Sequence, residues 1–549
     1  AAVDRAAHLA FAALLVLAVA PLWVVAWVPT QDGGNHVESV MALLRLPRSA
    51  LLQHYYVANV GLQPNWLTQI LFAALVQVFA PATAEKLVLT GYAVLLPLAF
   101  RAALPATPRG RWAALAIFPF VHSFAFHMGF WNFSYSLVLF FVAVGCWCRW
   151  RGRLDARRGL AFCGITLALF VAHSVSLASA FAAITAVLAW RAGLDLARAW
   201  RLPSRRRRVA RAWARRAAAT YGWALPAIGL LGFFLVHQPK PFSYRPPLLE
   251  YVKHLVSLYA LMSLDKRELF ATAAVALVLV GSVAWGVLRR RTRRARPVDG
   301  WVVASAVAMG IFLAMPDSAA DGAQLTDRLL LYPFFALALW IGWSVLSLRH
   351  VRAAGIALAV LFAALVGTRI VKYRELDRSF AEYASAAAQL APGSVILPLT
   401  LSPYGPREGG RPDGRKPAYR VEVFRHVAGY LATEREGIDL DNSQATTKHA
   451  PLRWVPHLDP FHVLATVPFG MESQPAPCVD LPRYAAAGGR IDYVLLWGQP
   501  SEVAGDRCGE RLLAQLAADW VRVFTSQPHG LMQVYRPKNA SAAATSRSP

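Results

Sequence analysis

Blocks of about 16 to 21 consecutive apolar residues recur along the first two thirds of the chain, and the arginines fall in short clusters between them. A helix of about 20 apolar residues covers the roughly 30 Å of hydrocarbon in a bilayer. This alternation predicts a mainly α-helical, polytopic transmembrane bundle. Composition agrees, with 56% hydrophobic and only 16% charged residues, against about 25% charged in a typical soluble domain. A formal charge of +26 is of the size that nucleic-acid binding can explain, but the placement of the arginines in short clusters between apolar blocks rejects that reading. They read instead as cytoplasmic topology signals.

The expected spans are 9–28, 85–104, 111–127, 131–149, 159–175, 176–190, 217–236, 269–289, 300–315, 328–348 and 353–371, roughly eleven in all. The first block, Leu9 to Val28, is too long for a signal h-region and no small-x-small site follows it, so it reads as a retained first helix. The block 66–80 sets the parity. If it lies flat as an interfacial helix, the clusters Arg101/Arg109/Arg111, Arg149–Arg158, Arg191–Arg216, Arg289–Arg296 and Arg349/Arg352 all face the cytoplasm. That parity also requires 159–190 to be two short spans broken near His173-Ser174. The exterior then receives 29–84, the turn at 128–130, 237–268, 316–327 and everything after 371.

Residues 1–371 thus form the expected membrane domain, with 29–84 as its first outer loop. Residues 372–538 turn polar and read as an extracytoplasmic α/β domain. Strands are expected at Ser394–Leu399, Arg490–Trp497, 521–525 and 531–535, and a helix at Arg511–Trp520. The tail 539–549 reads as disordered. Cys478 and Cys508 both fall in the outer domain, where a disulfide is plausible. Cys146, Cys148 and Cys163 read as packing residues. High alanine and arginine content fits a GC-rich bacterial genome, and with the apolar blocks the chain reads as a bacterial inner-membrane protein.

The segment with most chemical promise follows the first helix: Pro29-Thr30-Gln31-Asp32-Gly33-Gly34-Asn35-His36-Val37-Glu38. Asp32 lies at the outer membrane edge beside a glycine turn. A carboxylate so placed can act as general base on a hydroxyl or amine; alternatively it only caps the helix expected at 35–46. His36 and Glu38 open that amphipathic stretch. His127 and Asn132 flank Gly129, and either line a cavity or close a tight turn. Lys240, Arg245, Lys266, Arg267 and Arg328 are the few outer cations. Arg328 opens a span, either as a phosphate ligand or as an interface arginine paired with Asp327. Asp317, Asp321 and Asp327 make an acidic outer loop. His173 sits at membrane depth, where an ionisable group is a functional candidate or a helix–helix hydrogen bond.

One span, an acidic outer loop, interfacial helices, a many-helix bundle and an outer C-terminal domain together resemble the GT-C glycosyltransferases. Local matches are Pro29 to His36, Gln63-Pro64-Asn65-Trp66-Leu67-Thr68-Gln69-Ile70-Leu71, His127-Met128-Gly129-Phe130-Trp131-Asn132-Phe133, Asp327-Arg328-Leu329-Leu330-Leu331-Tyr332-Pro333 and the exit from Tyr373 to Leu397. The resemblance implies transfer of a sugar from a polyprenyl-phosphate donor to an extracytoplasmic glycan, lipid or protein, with Asp32 as base. His36, Glu38, His127, Asn132, Lys240, Arg245, Asp327 and Arg328 are then the candidate substrate contacts. Members of the oligosaccharyltransferase type pair acids around a divalent metal. Here no second acid follows Asp32 until Glu38, which favours a mechanism with no required cofactor. The rival reading is a non-catalytic polysaccharide or lipid transporter, or an assembly partner. Transporters are often built from repeated halves, and the sequence has no internal repeat.

Overall fold

The computed structural model describes residues 2–237, 244–289, 295–318, 322–344, 346–405, 416–468, 470–471 and 476–538. Lys240, Asp321 and the tail 539–549 lie outside the described residues.

The chain is mainly helical, with a small sheet near its C-terminus. Among the described residues nine helices are long and apolar enough to cross a bilayer. Helices used below are α1 (Ala2–Trp23), α2 (Gly33–Arg45), α3 (Leu67–Leu75), α4 (Pro81–Ala103), α5 (Trp131–Trp150), α6 (Ala156–Ala172), α7 (Ser174–Arg198), α8 (Pro203–Val236), α9 (Glu268–Leu288), α10 (Gly300–Ala314), α11 (Leu331–Trp343) and α12 (Leu348–Ala384). Their outward faces carry large apolar side chains, among them Leu225, Phe233 and Leu277 at 63%, 65% and 73% exposure. A bilayer would cover such a surface, which is far more apolar than a soluble monomer presents.

One expected span takes another form. Residues 111–127 are a buried, broken path: a helix at Pro108–Ala113, a 3₁₀ turn at Ala114–Phe120 and a short helix at Phe124–His127. Pro119 lies in the 3₁₀ turn, where its missing N–H and its ring oppose a continuous α-helix. The 159–190 block does divide at His173, whose backbone is extended (φ −167, ψ 130) between α6 and α7. α3, expected to lie flat, rises only about 14 Å and is too short to cross.

Close helix contacts rest on small residues and one buried ion pair. Gly145 of α5 faces Ala103 of α4, where a β-carbon would sit 2.9 Å from the Ala103 Cα; small residues let helix backbones approach in this way. Arg369 of α12 and Glu268 of α9 pair at 3.0 Å with both side chains wholly buried. A buried charge survives when paired and further bonded, and Arg369 also donates to the Leu261 carbonyl at 2.6 Å.

The C-terminal sheet has strand order β3-β2-β5-β7-β6, with β2 (Val395–Thr400), β3 (Ile438–Asp439), β5 (Tyr493–Trp497), β6 (Trp520–Thr525) and β7 (Met532–Pro537). β2 runs parallel to β3 and β5; β7 is antiparallel to β5 and β6. β2 is apolar nearly throughout, as a strand buried on both faces requires. Alternate residues point to opposite faces. Ile396, Leu495 and Trp497 therefore join the core of the helical bundle. Val395, Leu397 and Leu496 form a second core beneath the segment that follows α1, with Ala42, Leu52 and Tyr56. That segment is bound to the C-terminal region by an antiparallel pair, β1 (Tyr56–Ala58) with β4 (Leu452–Trp454). Cys478 and Cys508 form a disulfide.

Candidate active site

Asp32 occupies the N-cap position of α2, but its side chain makes no capping hydrogen bond. Its backbone is fixed from elsewhere. Gln31 N–H donates to the His127 carbonyl at 2.9 Å, and Asp32 N–H to the Met128 carbonyl at 3.2 Å. Gly129 makes this approach possible. Its φ of +79 is in the left-handed region, and a β-carbon there would lie 2.9 Å from Asp32 N. The carboxylate is thereby turned into a cavity of about 1200 Å³ between the bundle and the C-terminal region. His426 Nε2 lies 3.9 Å from Asp32 Oδ1, and His426 Nδ1 lies 3.2 Å from Asp441 Oδ2.

Arg328 enters the same cavity from the turn of helix before α11. Its Nη1 is 3.2 Å from His173 Nε2, and its guanidinium stacks 4.0 Å over Phe130. The break at His173 serves this contact, since the ring also caps α7 by accepting the Val175 N–H at 3.2 Å. A neutral imidazole has one acceptor nitrogen, so His173 satisfies Val175 or Arg328 but not both. Among the described residues no carboxylate pairs with Arg328, and its Nε is buried without a hydrogen-bond partner. The expected pairing with Asp327 is corrected: Asp327 binds Arg420 Nη2 at 2.8 Å instead. Arg420 arrives from the C-terminal region, lies 3.5 Å over Tyr259 and donates to the Tyr259 carbonyl at 2.7 Å. In all Arg420 reaches three acceptors, the Tyr259 and Met262 carbonyls and the Asp327 carboxylate.

The other candidates divide. His36 lines the cavity, stacks on Trp131 at 4.5 Å and meets the Gly129 carbonyl through Nε2 at 2.7 Å. Burial lowers its pKa to about 4, so the ring is neutral and Nε2–H donates to Gly129. Asn132 also lines the cavity, where it accepts from Thr68 N–H at 2.9 Å and donates to Gln69 at 2.7 Å. His127 does not line it. Its ring is buried against the Tyr373 hydroxyl at 2.8 Å, and only its backbone serves the site. Glu38 faces the C-terminal sheet, accepting from Asp439 N–H at 3.0 Å. Burial and the neighbouring Asp439 charge hold its carboxyl well above the usual carboxylate range. Arg245 is exposed and donates to the Leu313 carbonyl at 3.0 Å, outside the cavity lining. Lys266 stacks over Tyr419 at 5.2 Å.

Sequence reasoning missed the segment that closes the site. Arg420, Glu422, Arg425 and His426 all line the cavity. Glu422 N–H donates to the Gln31 side chain at 3.1 Å, and Glu422 pairs with Arg425. Phe234, Leu235 and Met315 are among the cavity's apolar lining residues. Among the described residues no group of three or more His, Cys, Asp or Glu is arranged to hold a metal ion. No protein-family model matches the chain, and no curated protein is significantly similar to it.

Proposed function

We propose that this chain is a membrane glycosyltransferase of GT-C type that takes its sugar from a polyprenyl-phosphate donor. The observation that carries the reading is that Asp32 and Arg328 share one large cavity, in which Arg328 has no carboxylate partner among the described residues and its Nε is buried without a hydrogen-bond partner. A carboxylate turned into the cavity and a buried guanidinium whose Nε has no hydrogen-bond partner fit a proton acceptor and an anion ligand.

In this reading the donor phosphate binds Arg328, whose planar fork suits phosphate oxygens. The isoprenoid chain runs along the apolar lining residues Phe234, Leu235 and Met315. The acceptor enters beside Asp32. The Asp32 carboxylate takes the acceptor's hydroxyl proton as that oxygen bonds to the anomeric carbon. The bond from the anomeric carbon to the phosphate oxygen breaks, and polyprenyl phosphate leaves with the electron pair. Arg328 stabilises the charge that collects on the leaving phosphate, the kind of preorganised electrostatic help worth most in a buried site. The volume exceeds the roughly 300–1,000 Å³ of sites for single drug-sized ligands, which gives room for sugar phosphate and acceptor together. The cavity would open at the outer leaflet of a bacterial inner membrane.

The test is to supply the purified protein with sugars labelled on polyprenyl phosphate and to follow the label. Label leaving the lipid for a glycan, lipid or protein supports the reading. Label remaining on every lipid donor overturns it, and favours the transporter.

A further inference from the structure

A second polar cavity lies at the other end of the bundle. α5, α7 and α8 each give one end to the Asp32 cavity, through Trp131, Val175 and Phe234. They give the opposite end to a cavity of about 400 Å³. From Val175 to Arg191 α7 rises roughly 24 Å at 1.5 Å per residue, most of the thickness of a hydrocarbon core.

Four guanidinium groups line this cavity: Arg149 and Arg151 from the end of α5, Arg191 from α7 and Arg216 from α8. Asp195 is the one carboxylate among its lining residues, and it is engaged already. It accepts from Trp213 Nε1 at 3.2 Å and pairs with Arg198 at 3.2 Å. Arg149 donates to the Ala102 carbonyl, Arg216 stacks 4.5 Å over Trp213, and Arg151 stacks 5.8 Å over Trp147. Arg191 Nε is buried with no hydrogen-bond partner.

Membrane topology requires arginines in the loops on one side. It does not require four of them, from three helices, around one concavity. Like charges gathered at the edge of a low-dielectric bundle repel, and a buried donor without an acceptor costs further. One anion with several oxygens relieves both. From Arg216 α8 continues into a lightly buried apolar stretch that includes Leu225, roughly 14 Å further along the helix, where acyl chains can lie while a headgroup sits in the cavity. We propose that this cavity binds a phosphate group borne by an anionic membrane lipid. Basic pockets between membrane helices recognise lipid phosphates in this way. The inference rests on the helices crossing a bilayer and not on the transferase reading, so a failed transfer assay leaves it standing.

The test titrates the purified full chain in detergent with phosphatidylglycerol, phosphatidylethanolamine or inorganic phosphate, and reads bound lipid by native mass spectrometry. R191Q/R216Q is compared with R205Q/R207Q, which removes the same charge from exposed positions of α8 outside the cavity. Phosphatidylglycerol is expected to bind about thirtyfold more weakly to R191Q/R216Q, at about 1 kcal/mol per arginine and 1.4 kcal/mol per tenfold. R205Q/R207Q is expected to stay close to wild type, and phosphatidylethanolamine to bind weakly throughout. If R191Q/R216Q does not fold, R191K/R216K keeps the charge but loses the planar forks, and should still bind less than wild type. Equal loss in the two charge-matched pairs, or no loss in either, would overturn the site. Inorganic phosphate binding as tightly as the lipid would overturn the lipid assignment.

Discussion

His426 Nε2 stands 3.9 Å from Asp32 Oδ1, although the two residues come from opposite ends of the chain. On its far side Nδ1 lies 3.2 Å from Asp441 Oδ2, and the imidazole is almost wholly buried. The candidate base is therefore aligned by the C-terminal region. His426→Gln should leave the helical content unchanged and lower the turnover number about 10²-fold, the cost of a misplacement of about 1 Å at a reacting group. Circular dichroism and transfer kinetics measured together check this; turnover at the wild-type level would show that His426 does not position Asp32.

Arg328 is expected to act on donor binding. Arg328→Gln removes a charge-assisted contact worth about 1.5–3 kcal/mol, so KM for the lipid donor should rise roughly 10- to 100-fold. Arg328→Lys keeps the charge without the fork and should fall between. A KM unchanged in both variants would place the phosphate elsewhere.

Gly129 tests the geometry that exposes the acid. Gly129→Ala forces a β-carbon into a left-handed backbone position and against Asp32 N. The backbone strain alone costs about 1–2 kcal/mol. Transfer should decline more than thermal stability does, because the displaced neighbour is Asp32. Equal proportional losses would count against this.

His36 gives the protein an acid-sensitive element. Its ordinary pKa of 6.5 applies when unfolded, and burial lowers it to about 4 in the fold. The unfolded chain binds the proton more readily, so this contribution is intact above pH 6.5 and is lost as pH falls towards 4. The loss amounts to about 3 kcal/mol. Glu38 and Asp439 act in the opposite direction, since burial raises both carboxyls and they favour the fold while protonated. Denaturant unfolding across pH 4 to 7 should show a smaller acid loss in His36→Gln than in wild type. Parallel curves would contradict the assignment.

Much of the fold was legible because it depends on local pattern. Apolar block length gave most of the long helices, and alternation with turn residues located β2, β5, β6 and β7 within a few residues. The break at His173 followed from charge parity alone. Residues 111–127 were misjudged because their apolar content conceals Pro119 and a path buried in protein. Arg369, a charge inside the last apolar block, carried a readable signal that its partner Glu268 explains.

The site was legible only in the part built by the helical bundle. Asp32, His36, Asn132 and Arg328 do meet in one cavity. Arg420 and His426 were not foreseen because their partners, Asp327 and Asp32, lie far away in sequence. In a polar domain such residues look like any solvated loop. Glu38 was misread for the same reason, as its partner Asp439 is in the C-terminal sheet.

The most direct measurement compares wild type with Asp32→Asn for coupled release of polyprenyl phosphate and transfer of its sugar. The account predicts one polyprenyl phosphate freed per sugar moved by wild type, and a rate about 10² to 10⁴ lower in a normally folded Asp32→Asn. Undiminished transfer by Asp32→Asn would contradict the role of Asp32 as the base.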